Sequence, residues 1–516
     1  MRALTYKIST VLVCLLAAQC ALAQTAKLRL DKKALVLLDA SGKQVIELPM
    51  RAKQLDARPG IAIVIDSATQ HVQPVRVDSA RGELVRMAPL PVLNFGVESA
   101  CLFRDRQGLD FVFIAAKDGQ AEQWLLQVDG ARLVRKLSLP IDAAQCSVDD
   151  ATHTLYVKED GVGTWAYEAD SEATPRRTLL KGGRPARGAA EAAIAVVVPQ
   201  VQTEPVARLG DVADDPAIWV HPADPAGSRV LGTNKKQGLM VYDMTGRQTQ
   251  FLESGRLNNV DLRQQVRFDG QAFDLAVASQ RDDNTVVLYG IDARGAVSEL
   301  TRFATGFENI YGICLFQPRA GGLEVIVNDK GGAFRQYRVM RNAGAFSASL
   351  ARSFKVASQP EGCVADDRSE RLFIGEEKRG IWSLPASGSQ PAHLKLVLGV
   401  GKDLHADVEG MAVYQGKRAS YLVVSSQGDS SYVVLDAAAP HRVRGRFKVG
   451  FNAAAGIDGT AETDGLDVTS RNLGGPFNRG MLVIQDGYKR MPDGPQNFKY
   501  VGWEDLARAL QLPLEE

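Results

Sequence analysis

The chain has 516 residues, 48 of them glycine, a formal net charge of +1, and a composition that is 45% hydrophobic and 23% charged. That length exceeds one compact core and predicts two domains or one large repeat architecture. The near-zero charge excludes a global basic field for nucleic acid and an acidic tail, so any anion site must be a local cluster.

In chain order, Arg2 and Lys7 supply a positive region ahead of the apolar stretch Thr10 to Ala18. Ala21-Leu22-Ala23 before Gln24 fits a small-residue cleavage site, which predicts a signal peptide over 1–23. The apolar run is too short for a membrane span and nothing later approaches one. The mature protein is therefore expected to be exported, to the periplasm or the medium. Cys20 raises a lipoprotein alternative, but Gln19 stands where that signal requires a small residue. Four cysteines remain after cleavage, Cys101, Cys146, Cys314 and Cys363, without the CxxC or Cys/His spacing of a zinc site.

An internal repeat organises the rest. Cys101-Leu102-Phe103 through Lys117-Asp118-Gly119 reads like Cys314-Leu315-Phe316 through Lys330-Gly331-Gly332. Cys146, Asp149-Asp150, Glu159 and Trp165 match Cys363, Asp366-Asp367, Glu376 and Trp382 at a nearly constant offset. Upstream, Lys32-Lys33 and Asp39 echo Lys235-Lys236 and Asp243. The pattern predicts a duplication, with a first, incomplete domain over 24–185, a linker over 186–205 and a complete domain over 206–516. Within each copy, short period-two strands alternate with Gly, Asp and Asn turns, an all-β pattern that fits a sandwich or a propeller. The longer copy would suit six four-stranded blades. Trp503 to Leu512 alone reads as a helix.

The second copy also carries acids at the edges of apolar strands: Asp214-Asp215, Asp261, Glu361-Gly362, Glu376-Glu377, Asp407-Val408-Glu409-Gly410 and Asp464-Gly465-Leu466-Asp467. Singly, an acid beside glycine is a turn residue. Gathered at one end of a channel they repel, require a cation, and as hard oxygen ligands without His or Cys favour calcium. Lys235, Lys236, Arg281, Lys330 and Tyr311 fall at other strand ends, and lysine and arginine bind phosphate as point charge and as fork.

On these residues the second copy resembles the β-propeller phytases. Asp211-Val212-Ala213-Asp214-Asp215-Pro216-Ala217-Ile218-Trp219 and Asn258 to Arg263 are similar to that family's two signature motifs. Thr233 to Leu239, Tyr311-Gly312, Glu361-Gly362, Asp407 to Gly410, Ser425 to Gly428, Thr463 to Gly465 and Gln496 to Phe498 follow in the expected order. The resemblance implies a six-bladed propeller that hydrolyses phosphomonoesters of myo-inositol hexakisphosphate by attack of a calcium-activated water. It implies that Asp215, Glu361, Asp407 and Glu409 hold calcium, with Asp261, Asp464, Asp467 and Asn497 in less closely matched metal regions. Lys235, Lys236, Arg281, Tyr311 and Lys330 are implied to contact substrate phosphates, and Glu376 to be a further acid of the site. Gly331 departs from the family, which often has an acid there. The alternative reading is a non-catalytic propeller that binds calcium or a phosphorylated ligand; a lactonase-type propeller would not explain the Lys and Arg set. A monomer is expected.

The first copy has lost these groups: Glu98 stands for Tyr311 and Ala144 for Glu361, and nothing replaces Asp214-Asp215 or Asp407 and Glu409. It is expected to be an incomplete ring without phytase activity of its own. The cysteines occupy equivalent places in the two copies, which predicts disulfides Cys101–Cys146 and Cys314–Cys363; four buried thiols are the alternative.

Overall fold

The structure, a computed structural model, describes residues 27–141, 145–181 and 194–514. The expected leader, Ala144 and residues 186–193 of the expected linker lie outside them. The described chain is all-β apart from three 3-10 turns and one helix, Trp503–Ala509, within the span expected to be helical. None of its helices is long and apolar enough to cross a membrane.

The described residues divide into two compact units, one of 27–132, 136–141, 145–167 and 178–181, the other of 133–135, 168–177 and 194–514. The first holds a three-stranded sheet over Lys27–Pro49, then four-stranded sheets that begin at Ala52, Val97 and Cys146. Among the described residues this three-stranded sheet has no counterpart of the strand that carries Asp214 and Asp215 in the second unit. Cys101 and Cys146 are joined as a disulfide.

The second unit is built from six sheets. Their first strands are Ala213–Trp219, Leu257–Phe268, Ile310–Phe316, Pro360–Asp366, Val408–Gln415 and Leu466–Thr469. Each first strand contacts the next, and the last contacts the first. The strands read apolar on both faces because each sheet is covered on both sides. One apolar cluster fills each gap: Trp219 and Ala217 against Leu257 and Tyr289, then Val277 against Leu315, Phe316 against Leu372, Phe373 against Val424, Tyr432 against Leu482, and Tyr500 against Tyr242.

Part of the expected linker is strand. Ala195–Val197 pairs in parallel with Val443–Val449, and Val201–Gln202 pairs with Asn497–Gly502, completing the sixth sheet. The alanine and valine that made this stretch look featureless are apolar residues packed on the fifth and sixth sheets. Cys314 and Cys363 are joined as a disulfide with Cα atoms 5.7 Å apart, linking the third and fourth first strands.

Candidate active site

A shared backbone irregularity sets out the site. In five of the six first strands the ladder slips near the strand's start: between Ala213 and Pro216, Leu257 and Val260, Ile310 and Ile313, Pro360 and Cys363, and Val408 and Met411. Such bulges free residues from pairing and re-aim their side chains. The residues released are Asp214 and Asp215, Asn258 and Asn259, Tyr311, Glu361 and Glu409. Glycine follows three of them because the strand starts crowd together. A Cβ on Gly312 would sit 2.0 Å from the Glu361 carbonyl oxygen, and one on Gly362 2.3 Å from that of Glu409.

Of the released residues, Tyr311, Glu361 and Glu409 line a cleft of about 640 Å³ together with Asp211, Lys235, Glu377, Asp407 and Asp464 among others. Glu361, Glu377 and Glu409 are all buried and present carboxylate oxygens within 4.8 Å of one another. Glu361 Oε1 accepts from Asn258 Nδ2 at 2.7 Å, and Asn258 Oδ1 accepts from Arg281 Nη1 at 3.1 Å. The Tyr311 ring lies 4.3 Å from Lys330 Nζ and 5.9 Å from the Arg281 guanidinium carbon. Lys235 Nζ donates to Asp464 Oδ2 at 2.6 Å and Asp211 Oδ1 at 2.8 Å, with Asp214 Oδ1 at 3.3 Å.

So many acids in so little water perturb one another. Burial, with Glu361 and Asp407 beside it, pushes the Glu377 carboxyl up to about 7 against a stabilising hydrogen bond from Gln359. Burial and Glu361 hold Glu409 well above the usual carboxylate range. Burial likewise raises Asp214, and Asp464 to about 6. Burial and the Glu361 and Glu409 charges raise the Tyr311 phenol, which stays protonated. Burial works to lower Lys235, but Asp214, Asp464 and Glu361 outweigh it, so the ammonium is kept charged.

The residues present fit a hard divalent cation. Three carboxylates share one small volume, the set is oxygen-only, and Glu409 Oε2 and Asp214 Oδ2 lack a hydrogen-bond donor among the described residues. Glu361, Glu377 and Glu409 could hold such an ion, with Asp407 on the same cleft wall.

Several expected residues lie outside the cleft lining. Glu376 is not the further acid of the cleft: its Oε1 accepts from Ser358 N and Oγ at 2.7 and 2.6 Å and its Oε2 from Trp382 Nε1 at 2.9 Å. Glu377 holds that place. Asp215 lies in a narrow channel with Asp261 and Asp467, apart from the cleft lining, and its Oδ2 accepts Val260 N at 3.1 Å. Asp261 accepts Leu315 N and Asp467 accepts Ile218 N, both at 2.8 Å, so each ties neighbouring first strands together. Asn497 is fully buried and holds Lys499 Nζ at 3.1 Å, whose ammonium sits between Asp458 and Asp486. Lys236 is exposed and absent from the cleft lining. Sequence reasoning missed Asn258 and Gln427, which donates to Asp464 Oδ1 at 2.7 Å. The run Asn258-Asn259 inside an apolar strand was the signal for the first.

Comparison with known proteins bears on what this cleft does. The family model for Phytase matches residues 174–515. The chain belongs to the phytase family. A 3-phytase of Bacillus subtilis (strain 168) is 38% identical over 330 residues, which span 61% of this chain and 85% of that one. As a phytase the protein is a phosphoric monoester hydrolase. The match begins upstream of residue 206 and takes in the two short strands that complete the second unit. A solved structure of a functionally unknown protein from Desulfotomaculum acetoxidans, 12% identical, covers 74% of this chain and 94% of its own at a TM-score of 0.31. That likeness carries no argument.

Proposed function

We propose that the second unit is a six-bladed β-propeller phytase that hydrolyses myo-inositol hexakisphosphate to lower inositol phosphates and inorganic phosphate, with calcium as its cofactor. The observation that carries this is the buried triad Glu361, Glu377 and Glu409 beside Lys235, Tyr311 and the Asn258–Arg281 pair. The cyclic contacts of the six first strands support the propeller, and the 3-phytase similarity supports the substrate. The exported, monomeric state expected from the sequence is kept as part of the proposal.

Bound calcium would neutralise phosphate charge and make a water more acidic. The chain's own residues do the rest. Arg281, oriented by Asn258, offers its fork to one phosphate, and Lys330 adds a point charge across the Tyr311 ring. Lys235 exchanges carboxylate partners for phosphate oxygens without losing its proton. The protonated Tyr311 hydroxyl donates to a phosphate oxygen. Holding a second phosphate orients the first for in-line displacement, in which water forms a new P–O bond as the bond to the inositol oxygen breaks.

Inorganic phosphate release from phytate by the purified protein, with calcium and with excess chelator, tests this reading. Calcium-dependent release supports it. Binding without release under either condition would favour the non-catalytic propeller.

A further inference from the structure

The cleft wall also carries Arg490, which none of the roles above uses. Its guanidinium is fixed: Nε donates to Glu172 Oε2 at 3.2 Å, Nη1 to the Val134 carbonyl oxygen at 3.4 Å, and the guanidinium carbon lies 5.4 Å from the Tyr488 ring centroid. Its backbone N–H donates to the Asp458 carboxylate. The side chain is 10% exposed, and Nη2 has no partner among the described residues. Glu172 is itself held: it is 4% exposed and its Oε1 accepts Gly459 N at 3.3 Å. Thr174, two residues on, donates to Glu462, another cleft-lining residue. Residues 168–177 thus brace one wall of the cleft.

An arginine held through Nε and Nη1 with Nη2 left over presents a pre-placed cationic donor to an anion, since its side-chain entropy is already spent. The surrounding lining is rich in carboxylates, so an anion enters only where a cation faces it. Residue 172 also lies before the family match, which begins at 174.

We infer that Arg490 recognises a phosphate of the substrate remote from the one cleaved, and that Glu172 is the positioning residue that aims it. The inference rests on the phytase reading and adds a selectivity element: a substrate with several phosphates reaches Arg490, and a simple monoester does not. Glu172, which aims Arg490, lies two residues upstream of the matched domain.

The test uses the full chain. The selectivity ratio, kcat/KM for phytate over kcat/KM for p-nitrophenyl phosphate, is measured for wild type, R490Q, E172Q and the double variant. R490Q is expected to lower the ratio about tenfold, the loss of one charge-assisted contact. E172Q is expected to lower it less, and the double variant to match R490Q, because Glu172 acts only through Arg490. An unchanged ratio in R490Q, or fully additive losses, overturns the inference. Titration with myo-inositol hexakissulfate separates the two layers: weaker binding in R490Q supports the contact even if the wild type releases no phosphate, and equal binding by wild type and R490Q rejects it. The double variant, which replaces the buried ion pair with a neutral pair, keeps the test valid if either single variant misfolds.

Discussion

Glu376 and Glu377 are neighbours in the chain, yet their carboxylates serve separate networks. Glu376 closes a loop through Ser358 and Trp382, while Glu377 stands with Glu361 and Glu409 in the cleft. The first unit has the same loop-closing pair, Trp165 Nε1 donating to Glu159 Oε2 at 2.5 Å. A contact retained where the cleft residues are lost is structural.

E377Q is therefore expected to leave the fold intact and cut phosphate release about a hundredfold, as loss of a group that stabilises developing charge does. E376Q is expected to cost about 1–3 kcal/mol of stability, the penalty for mismatched buried donors, with a much smaller effect on turnover. Denaturant melts and phosphate-release assays on both variants check the pair; the reverse pattern would return Glu376 to the active site.

The acid cluster sets a pH dependence for the metal-free protein. Burial raises Glu377 to about 7, Asp464 to about 6 and Asp467 to about 7. A carboxyl whose folded pKa exceeds its unfolded one favours folding while protonated. That contribution is complete below ~pH 4 and is lost as pH rises through about 7. In chelator the melting temperature should fall between about pH 5 and about pH 8, and calcium should remove most of the fall by binding the ionised carboxylates. A melting temperature in chelator that rises over this range would contradict the buried arrangement.

Arg281 holds Asn258 through Nη1 and offers the rest of its fork to substrate. R281K keeps the charge and loses the fork, so KM for phytate should rise about tenfold. K330Q should also raise KM by removing the charge over Tyr311. Steady-state kinetics at saturating calcium are the check.

The Cys314–Cys363 disulfide closes a loop of 49 residues in sequence separation. Replacing both cysteines by serine should cost about 3 kcal/mol of unfolding free energy. Guanidinium melts measure this, and peptide mapping without reductant reads the pairing directly.

Much of this site was legible because the strand starts are written as short phrases. Tyr311-Gly312, Glu361-Gly362, Glu409-Gly410 and Asp464-Gly465 pair a functional group with the glycine its crowded backbone needs. A bulge shifts side-chain parity by one residue, so neighbours such as Asp214 and Asp215 cannot be told apart without the register. Glu376 ends its strand and Glu377 lies just beyond it, where alternation no longer guides the reading. Asp261 belongs to a different set, visible only through its partners. Arg263 reaches Asp261, Asp367 and the Leu315 carbonyl oxygen, just as Arg58 in the first unit reaches Asp56, Asp150 and the Leu102 carbonyl oxygen. The short strands within the expected linker escaped sequence reading because two or three residues have no period to detect.

Those two short strands have a kinetic consequence. Val201–Gln202 emerges from the ribosome early in the making of this unit, and its partner, Asn497–Gly502, emerges last. The sixth sheet is unfinished until synthesis is nearly over, so Val201–Gln202 stays without its partner through most of translation. A nascent chain of this unit is an open coil of completed sheets whose closure is a single late event, and prematurely terminated chains are its aggregation-prone form.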